Sequence, residues 1–349
     1  AYSEGFAESM AKSRGSGVLS YSLGDEGSIS GSGEGELTDP VLQEYLKQVY
    51  GSIEALNRSW ESDFKAFSDI TIKSLAQNKP KPQPKPSPGA PVPLKNLARQ
   101  YDMHYFGGYN FIQMAKRNRE ATREMAKDPQ ARIGFEGSGK IGRPGCDPEL
   151  ICRDLDMWVP YTGISEEFVR SVAPRSFIRS SWQGYDRDAT GHLGHYWRQV
   201  MMGADSIWYW MWSAIGGFQG LQQPDLDAPD AVREMLADTR VVRDGLGDLL
   251  LKYNMQNDGI AVLYSYPDLI ADNEERSKSY RSFWAGIATW DQIIQDLNMQ
   301  YNFVTERMLT SGEFEAGKYK VLVLPRTLCL GEKAAAVIRR FVENGGTVI

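Results

Sequence analysis

"VLSYSLGDEGS" (18–28) alternates apolar and polar residues and then runs into two adjacent carboxylates, Asp25 and Glu26, held between Gly24 and Gly27. Period-two alternation reads as a strand with one covered face. In a parallel α/β barrel the chemistry sits at the carboxyl ends of the strands, so an acid placed just after a strand has a functional position. Read in isolation, an acidic pair between glycines is most often a solvated turn. The remainder of the chain decides between the two.

Downstream, Asp39-Pro40 supplies an N-cap and a first-turn proline. Apolar residues then recur at helical spacing through Leu42, Tyr45, Leu46 and Val49, with a break near Gly51. A second helical pattern runs from about Asn96 to Lys127 and stops at Asp128-Pro129, where "ARIGF" (131–135) starts a strand. Two further strand-like runs follow, "LDMWVPYTG" (155–163) and "SFIRSSWQGY" (176–185). A helix through "GHYWRQVMMGA" (194–204) and a strand, "DSIWYWMW" (205–212), complete this part. Near-continuous apolar runs suit parallel strands buried on both faces, and alternating strands and helices argue an α/β fold.

The segment "DAVREMLADTRVVRDGLGDLLLKY" (230–253) reads as one helix leading to "DGIAVLYSY" (258–266). An amphipathic helix bearing Trp284, Ile287, Trp290, Ile294 and Leu297 comes next, then "KYKVLVLP" (318–325) and "EKAAAVIRRFVENGG" (332–346). That order predicts a second, flavodoxin-like α/β unit, with a boundary near Asn254 to Asp258. The proline tract "NKPKPQPKPSPGAPVPLKN" (78–96) is an extended excursion, either a linker or a surface insertion within one domain.

Composition narrows the function. The chain has 349 residues, of which 42% are hydrophobic, enough for one large core and a smaller one. A net charge of −6 offers no basic stripe for a phosphate backbone, so nucleic acid is not expected as a partner. No apolar run approaches the roughly 18 residues a membrane span needs. Cys146, Cys152 and Cys329 lack CxxC spacing, and His192 and His195 have no cysteine partner, so neither a disulfide framework nor a metal site is expected, and no cofactor is called for. "GSGKIGRPG" (137–145) lacks the spacing of a phosphate loop.

"YSLGDEGS" (21–28) followed by "YLKQVYGSIEALNRSWESDFKAFSDI" (45–70) resembles the family 42 β-galactosidases and their relatives, in which the acid/base glutamate ends the fourth barrel strand and a "YGTIEALNxAWGTxFW" segment follows. "HYWRQVMMGADSIWYWMW" (195–212) looks like that family's last barrel helix and strand, and 258–349 like its trimerisation domain. The resemblance implies a carbohydrate-cleaving enzyme. Its fold class would be α/β: a partial (β/α)8 TIM barrel over 1–255, carrying strands four to eight, then a flavodoxin-like α/β domain over 256–349. It also places the proline tract, 79–95, as an insertion inside the barrel and makes the intact protein a homotrimer.

On the same resemblance Glu26 carries over as general acid/base, and Asp25 stands where an asparagine usually binds the sugar 2-hydroxyl. The nucleophile does not carry over. The seventh strand should end in a glutamate and instead offers Ser180, Ser181 and Trp182. By strand-end position alone, Glu136, Glu167 and Asp186 are the candidate second carboxylates, because glycoside cleavage needs two. Trp158, Tyr161, Trp182, Tyr185, Trp210 and Trp212 are candidates for a sugar-stacking platform, Trp182 foremost. The chain reads as a fragment missing the first three strands, and the compartment, cytoplasmic or secreted, stays open.

Overall fold

The computed structural model describes residues 2–13, 15–25, 38–77, 96–137, 147–185, 188–213, 220–253, 255–275 and 281–349. In chain order the elements are α1 (Tyr2–Ser13), β1 (Tyr21–Asp25), α2 (Asp39–Tyr50), α3 (Ile53–Trp60), α4 (Ile72–Gln77), α5 (Ala98–Ala126), β2 (Ile133–Glu136), α6 (Pro148–Asp154), β3 (Met157–Val159), α7 (Ser165–Val172), β4 (Ile178–Gly184), α8 (Ala189–Met201) and β5 (Ser206–Trp210). They continue with α9 (Asp230–Asp238), α10 (Gly247–Lys252), β6 (Ile260–Tyr264), α11 (Tyr266–Glu275), α12 (Arg281–Asp296), β7 (Tyr301–Thr305), α13 (Glu306–Ser311), β8 (Val321–Val323), α14 (Glu332–Glu343) and β9 (Thr347–Val348).

The strands form two sheets, both parallel. One is a curled half barrel in the order β1-β2-β3-β4-β5, each strand pairing with the next in sequence. The other has the doubly wound order β7-β6-β8-β9. A single apolar core runs between the sheets, joining Ile133, Phe135, Trp158 and Phe168 to Tyr264, Phe283, Ile287 and Phe303. Polar contacts reinforce it. Arg170 of α7 donates to Glu167 at 2.5 Å and, at the start of β7, to the Tyr301 carbonyl at 2.5 Å and Asn302 at 2.9 Å. Arg307 of α13 donates to Asp147 at 2.9 Å and to the Tyr105 hydroxyl at 2.7 Å, and is ion-paired with Glu149.

The helices before and after residues 78–95 share one apolar cluster. Leu42, Leu46, Leu56, Trp60, Ile70 and Leu75 pack with Phe106 of α5. Asp102 of α5 accepts hydrogen bonds from the Tyr50 hydroxyl at 2.5 Å and the Trp60 indole at 2.7 Å, and Arg99 donates to the Leu75 carbonyl at 2.7 Å. Contacts thus join the helices on the two sides of the tract. The tract itself lies outside the described residues.

Several local expectations are corrected. Val18 and Leu19 are exposed and precede the strand, which starts at Tyr21. Thr38, not Asp39, flanks the start of α2, and the Asp39 carboxylate instead accepts the Ile72 amide at 2.8 Å, tying α2 to α4. The single helix expected over 230–253 is broken by a π-helical turn, Val242–Leu246, in which Gly245 has a φ of +140°, a conformation that leaves the α-helix. Leu297 falls beyond α12 and is exposed. The strand "YNFVT" (301–305) has the polar Asn302 in its middle and was not legible as β7. Burial on both faces holds for β3 and β6 but not for β5, whose only neighbour among the described residues is β4.

Candidate active site

Register places the site. Asp25 pairs with Glu136, and Glu136 with Val159, across three neighbouring carboxyl ends. Residues in register on parallel strands share a face. Val159 packs with Met157 and Ile178, and the half-buried Trp182 and Trp208 rest on that group. Glu136 therefore shares the inner face of the curl with Trp182 and Trp208, while Ile133, Phe135, Trp158 and Phe177 turn to the helices. Gly134 is required there, because a Cβ would lie 1.9 Å from the Met157 carbonyl oxygen.

A register shift between Ser22 and Asp25 bulges β1 just before its end. Bulges of this kind re-aim side chains beside active sites. Burial raises the Glu136 carboxyl above its ordinary value; a hydrogen bond from Ser22 partly offsets this and the Asp25 charge adds to it. Glu136 and Asp25 thus stand side by side in different surroundings, one half-buried and the other exposed.

On the same face, two strands along the sheet from Glu136, stands an aromatic corner. The Trp182 ring meets Tyr161 edge-on at 5.2 Å and Tyr185 at 5.2 Å. At the end of β5, Trp210 is 41% exposed, and Trp212, two residues on, is 68% exposed. A cavity of about 110 Å³ opens beside them, between Gln183, Tyr185, His192, Tyr209 and Trp210. Gln183 donates to the His192 carbonyl at 2.8 Å, which gives this histidine a place in the wall.

Not every expected residue joins this face. Glu26 and Asp186 lie outside the described residues, as does Cys146. Glu167 is corrected: it sits buried on α7, paired with Arg170 and turned toward β7, because the strand before it ends at Val159 and a helix follows. Trp158 is corrected too. It is fully buried against the helices, so it is core and has no face for a sugar.

On β4, the Ser180 hydroxyl lies 2.8 Å from that of Ser206, and the Ser181 hydroxyl donates to Glu166 at 2.5 Å. Sequence reasoning missed both Glu166 and Ser22. Glu166 differs from its neighbour Glu167 only in helical phase, and that was the available signal.

A separate cavity of about 350 Å³ lies between α5, α6 and the carboxyl ends of β6 and β7, lined by Tyr101, Tyr105, Tyr266, Glu306 and Arg307. Burial, with the nearby Asp268 charge, raises Glu306 to about 7, although the Gly331 amide and Arg307 act to lower it. Among the described residues no helix is long and apolar enough to cross a membrane, and no cluster of acids, histidines and cysteines could hold a metal ion.

No family model and no curated protein matches the chain. Solved structures do. A β-galactosidase from the psychrophilic Marinomonas ef1 matches with a TM-score of 0.69 at 16% identity, over 99% of this chain and 57% of that one. A β-galactosidase from the Antarctic haloarchaeon Halorubrum lacusprofundi matches with a TM-score of 0.69 at 15% identity, over 99% and 54%. A catalytic mutant of a GH42 β-galactosidase from G. stearothermophilus matches with a TM-score of 0.66 at 17% identity, over 90% and 49%. The chain spans about half the length of these structures and has the fold of that half.

Proposed function

We propose that this chain carries the acid/base half of a glycoside-hydrolase barrel and takes part in cleaving a β-galactoside-like bond. The observation that carries the reading is the shared inner face, where Asp25 and Glu136 stand at neighbouring strand ends and Trp182 lies on the same face. The match to β-galactosidase structures supports the same substrate class. In this reading Glu26, next to Asp25, protonates the leaving oxygen. Glu136 is the best-placed described candidate for the second carboxylate, and Trp182, Tyr161 and Trp212 receive the apolar face of the sugar. A carboxyl separation of about 5 Å would retain configuration and one of about 6.5–9.5 Å would invert it.

A second reading, a sugar-binding barrel without hydrolysis, is favoured by β4. Its two serines are committed to hydrogen bonds and it bears no acid. The deciding experiment is hydrolysis of p-nitrophenyl β-galactoside by the protein and by Glu26→Gln and Glu136→Gln variants, with azide added to each. A loss of activity in Glu26→Gln of at least roughly a hundredfold supports the enzyme reading, given the usual contribution of a general acid. Unchanged activity in Glu26→Gln removes that residue from the mechanism. Sugar binding with no hydrolysis in the parent protein selects the second reading. The resemblance of 258–349 to a trimerisation domain extends the proposal to a homotrimer, which light scattering of the full-length protein checks.

A further inference from the structure

We infer that Glu166 is a positioning residue that clamps the β3–α7 loop against β4 and so fixes the Tyr161–Trp182 corner. The inference rests on the sugar-site reading above. Glu166 lies in the first turn of α7 and is 5% exposed, behind the sheet rather than in the cleft. One carboxylate oxygen accepts the Gly163 amide at 3.0 Å, and the other accepts the Ser181 hydroxyl at 2.5 Å. Gly163 belongs to the loop that carries Tyr161, and Ser181 immediately precedes Trp182. The two oxygens therefore bridge the two chain segments that present the edge-on aromatic pair, 5.2 Å apart.

The neighbouring contacts show why a clamp at this point controls the corner. The Trp182 amide donates to the Pro160 carbonyl at 3.2 Å, and the Trp182 carbonyl accepts from Gln199 of α8 at 2.8 Å. With those bonds the backbone of Trp182 is held on both sides, and the remaining freedom lies in the loop from Tyr161 to Ile164. Gly163 has a φ of +138°, open to few residues other than glycine, so the loop is shaped by its bonds rather than by side-chain bulk. Removing the carboxylate leaves the Gly163 amide and the Ser181 hydroxyl without this acceptor and releases the loop.

The test measures the clamp and the sugar separately. Hydrogen exchange in Glu166→Ala and in the milder Ser181→Ala reads the amides of 161–164 against those of 168–172. Lactose titration by calorimetry reads binding in the parent protein, in both variants, in Trp182→Ala, and in Tyr161→Ala with and without Glu166→Ala. Loop exchange should rise while α7 stays protected. Lactose affinity should fall roughly fivefold to tenfold in Glu166→Ala, and that fall should vanish in the Tyr161→Ala background.

Unchanged loop exchange in both variants would overturn the clamp. A loosened loop with unchanged affinity, while Trp182→Ala weakens binding, would overturn the positioning role and leave the sugar site standing. An equal fall with and without Tyr161 would assign Glu166 a general structural role instead. Unchanged lactose affinity in Trp182→Ala would remove the sugar site itself, and with it the basis for the corner.

Discussion

Strands β5 and β6 are built from similar residues and meet opposite fates. "SIWYW" (206–210) and "IAVLY" (260–264) are both apolar, yet β6 is buried at every position while β5 is half-buried and ends in an exposed tryptophan. The cause is neighbours. β6 lies between β7 and β8, whereas β5 has β4 on one side only among the described residues. Apolar sequence states what a strand tolerates; pairing and layering decide what it buries. Aromatic residues left open at the carboxyl ends of the curled sheet are surface available to a ligand, and the same kind of residue in the second sheet is core.

The largest expected effect breaks this contrast if it fails. Phe303→Ala, in the core between the sheets, should cost about 3–5 kcal/mol in chemical denaturation, since it removes a fully buried ring that meets Phe168 and Tyr264. Trp208→Ala, half-buried on the curled sheet, should cost clearly less. Equal costs would mean that the two sheets are equally packed.

Next comes the polar seam. Arg170→Ala leaves the buried Glu167 without its partner and should cost about 3 kcal/mol, read as a shift in denaturation midpoint. A cost below about 1 kcal/mol would show that water reaches this pair.

Glu306 sharpens the comparison through pH. Its folded value of about 7 lies above the ordinary 4.5, so the folded state holds the proton more tightly than the unfolded chain. Stability should therefore be highest below about 4.5 and fall as pH rises through 7, by on the order of 2 kcal/mol from this group. Midpoints at pH 5 and pH 7.5 should differ less in Glu306→Gln than in the parent protein. An unchanged difference would place the carboxyl in water.

The smallest effect is at Trp212. At 68% exposed, its replacement by alanine should move stability by no more than about 0.5 kcal/mol while weakening sugar binding if it belongs to the platform. A large stability loss would make it packing instead.

Much of this was legible in the sequence, for identifiable reasons. The long spacing pattern of α5 and the strand runs at Ile133, Met157, Ile178, Ser206 and Ile260 carried the architecture, because helices and buried strands declare themselves by period. The break at Gly245 was hidden inside a good helical pattern, and β7 by the polar Asn302, which the Arg170 side chain requires. The position of Glu136 at the end of β2 was legible because strand-end position is a sequence property. Glu167 and Trp158 were misread because the face a residue takes at a strand end or a helix start depends on where the strand stops, and the sequence around Val159 to Ser165 did not show that. Glu166 was overlooked for the same reason.

The shared cluster of α2, α3, α4 and α5 has a consequence for how this protein can vary. Because Trp60, Leu75 and Phe106 meet in one core, the two ends of the proline tract are anchored by contacts that do not involve the tract. Closing a longer loop between fixed ends adds only about 0.6 kcal/mol per doubling. A flexible insert at this point in the sequence should therefore be tolerated at small cost, because the flanking helices hold its ends. A single cut within the tract would yield two polypeptides that keep a common interior, which makes this the natural seam at which to split the molecule into a complementing pair.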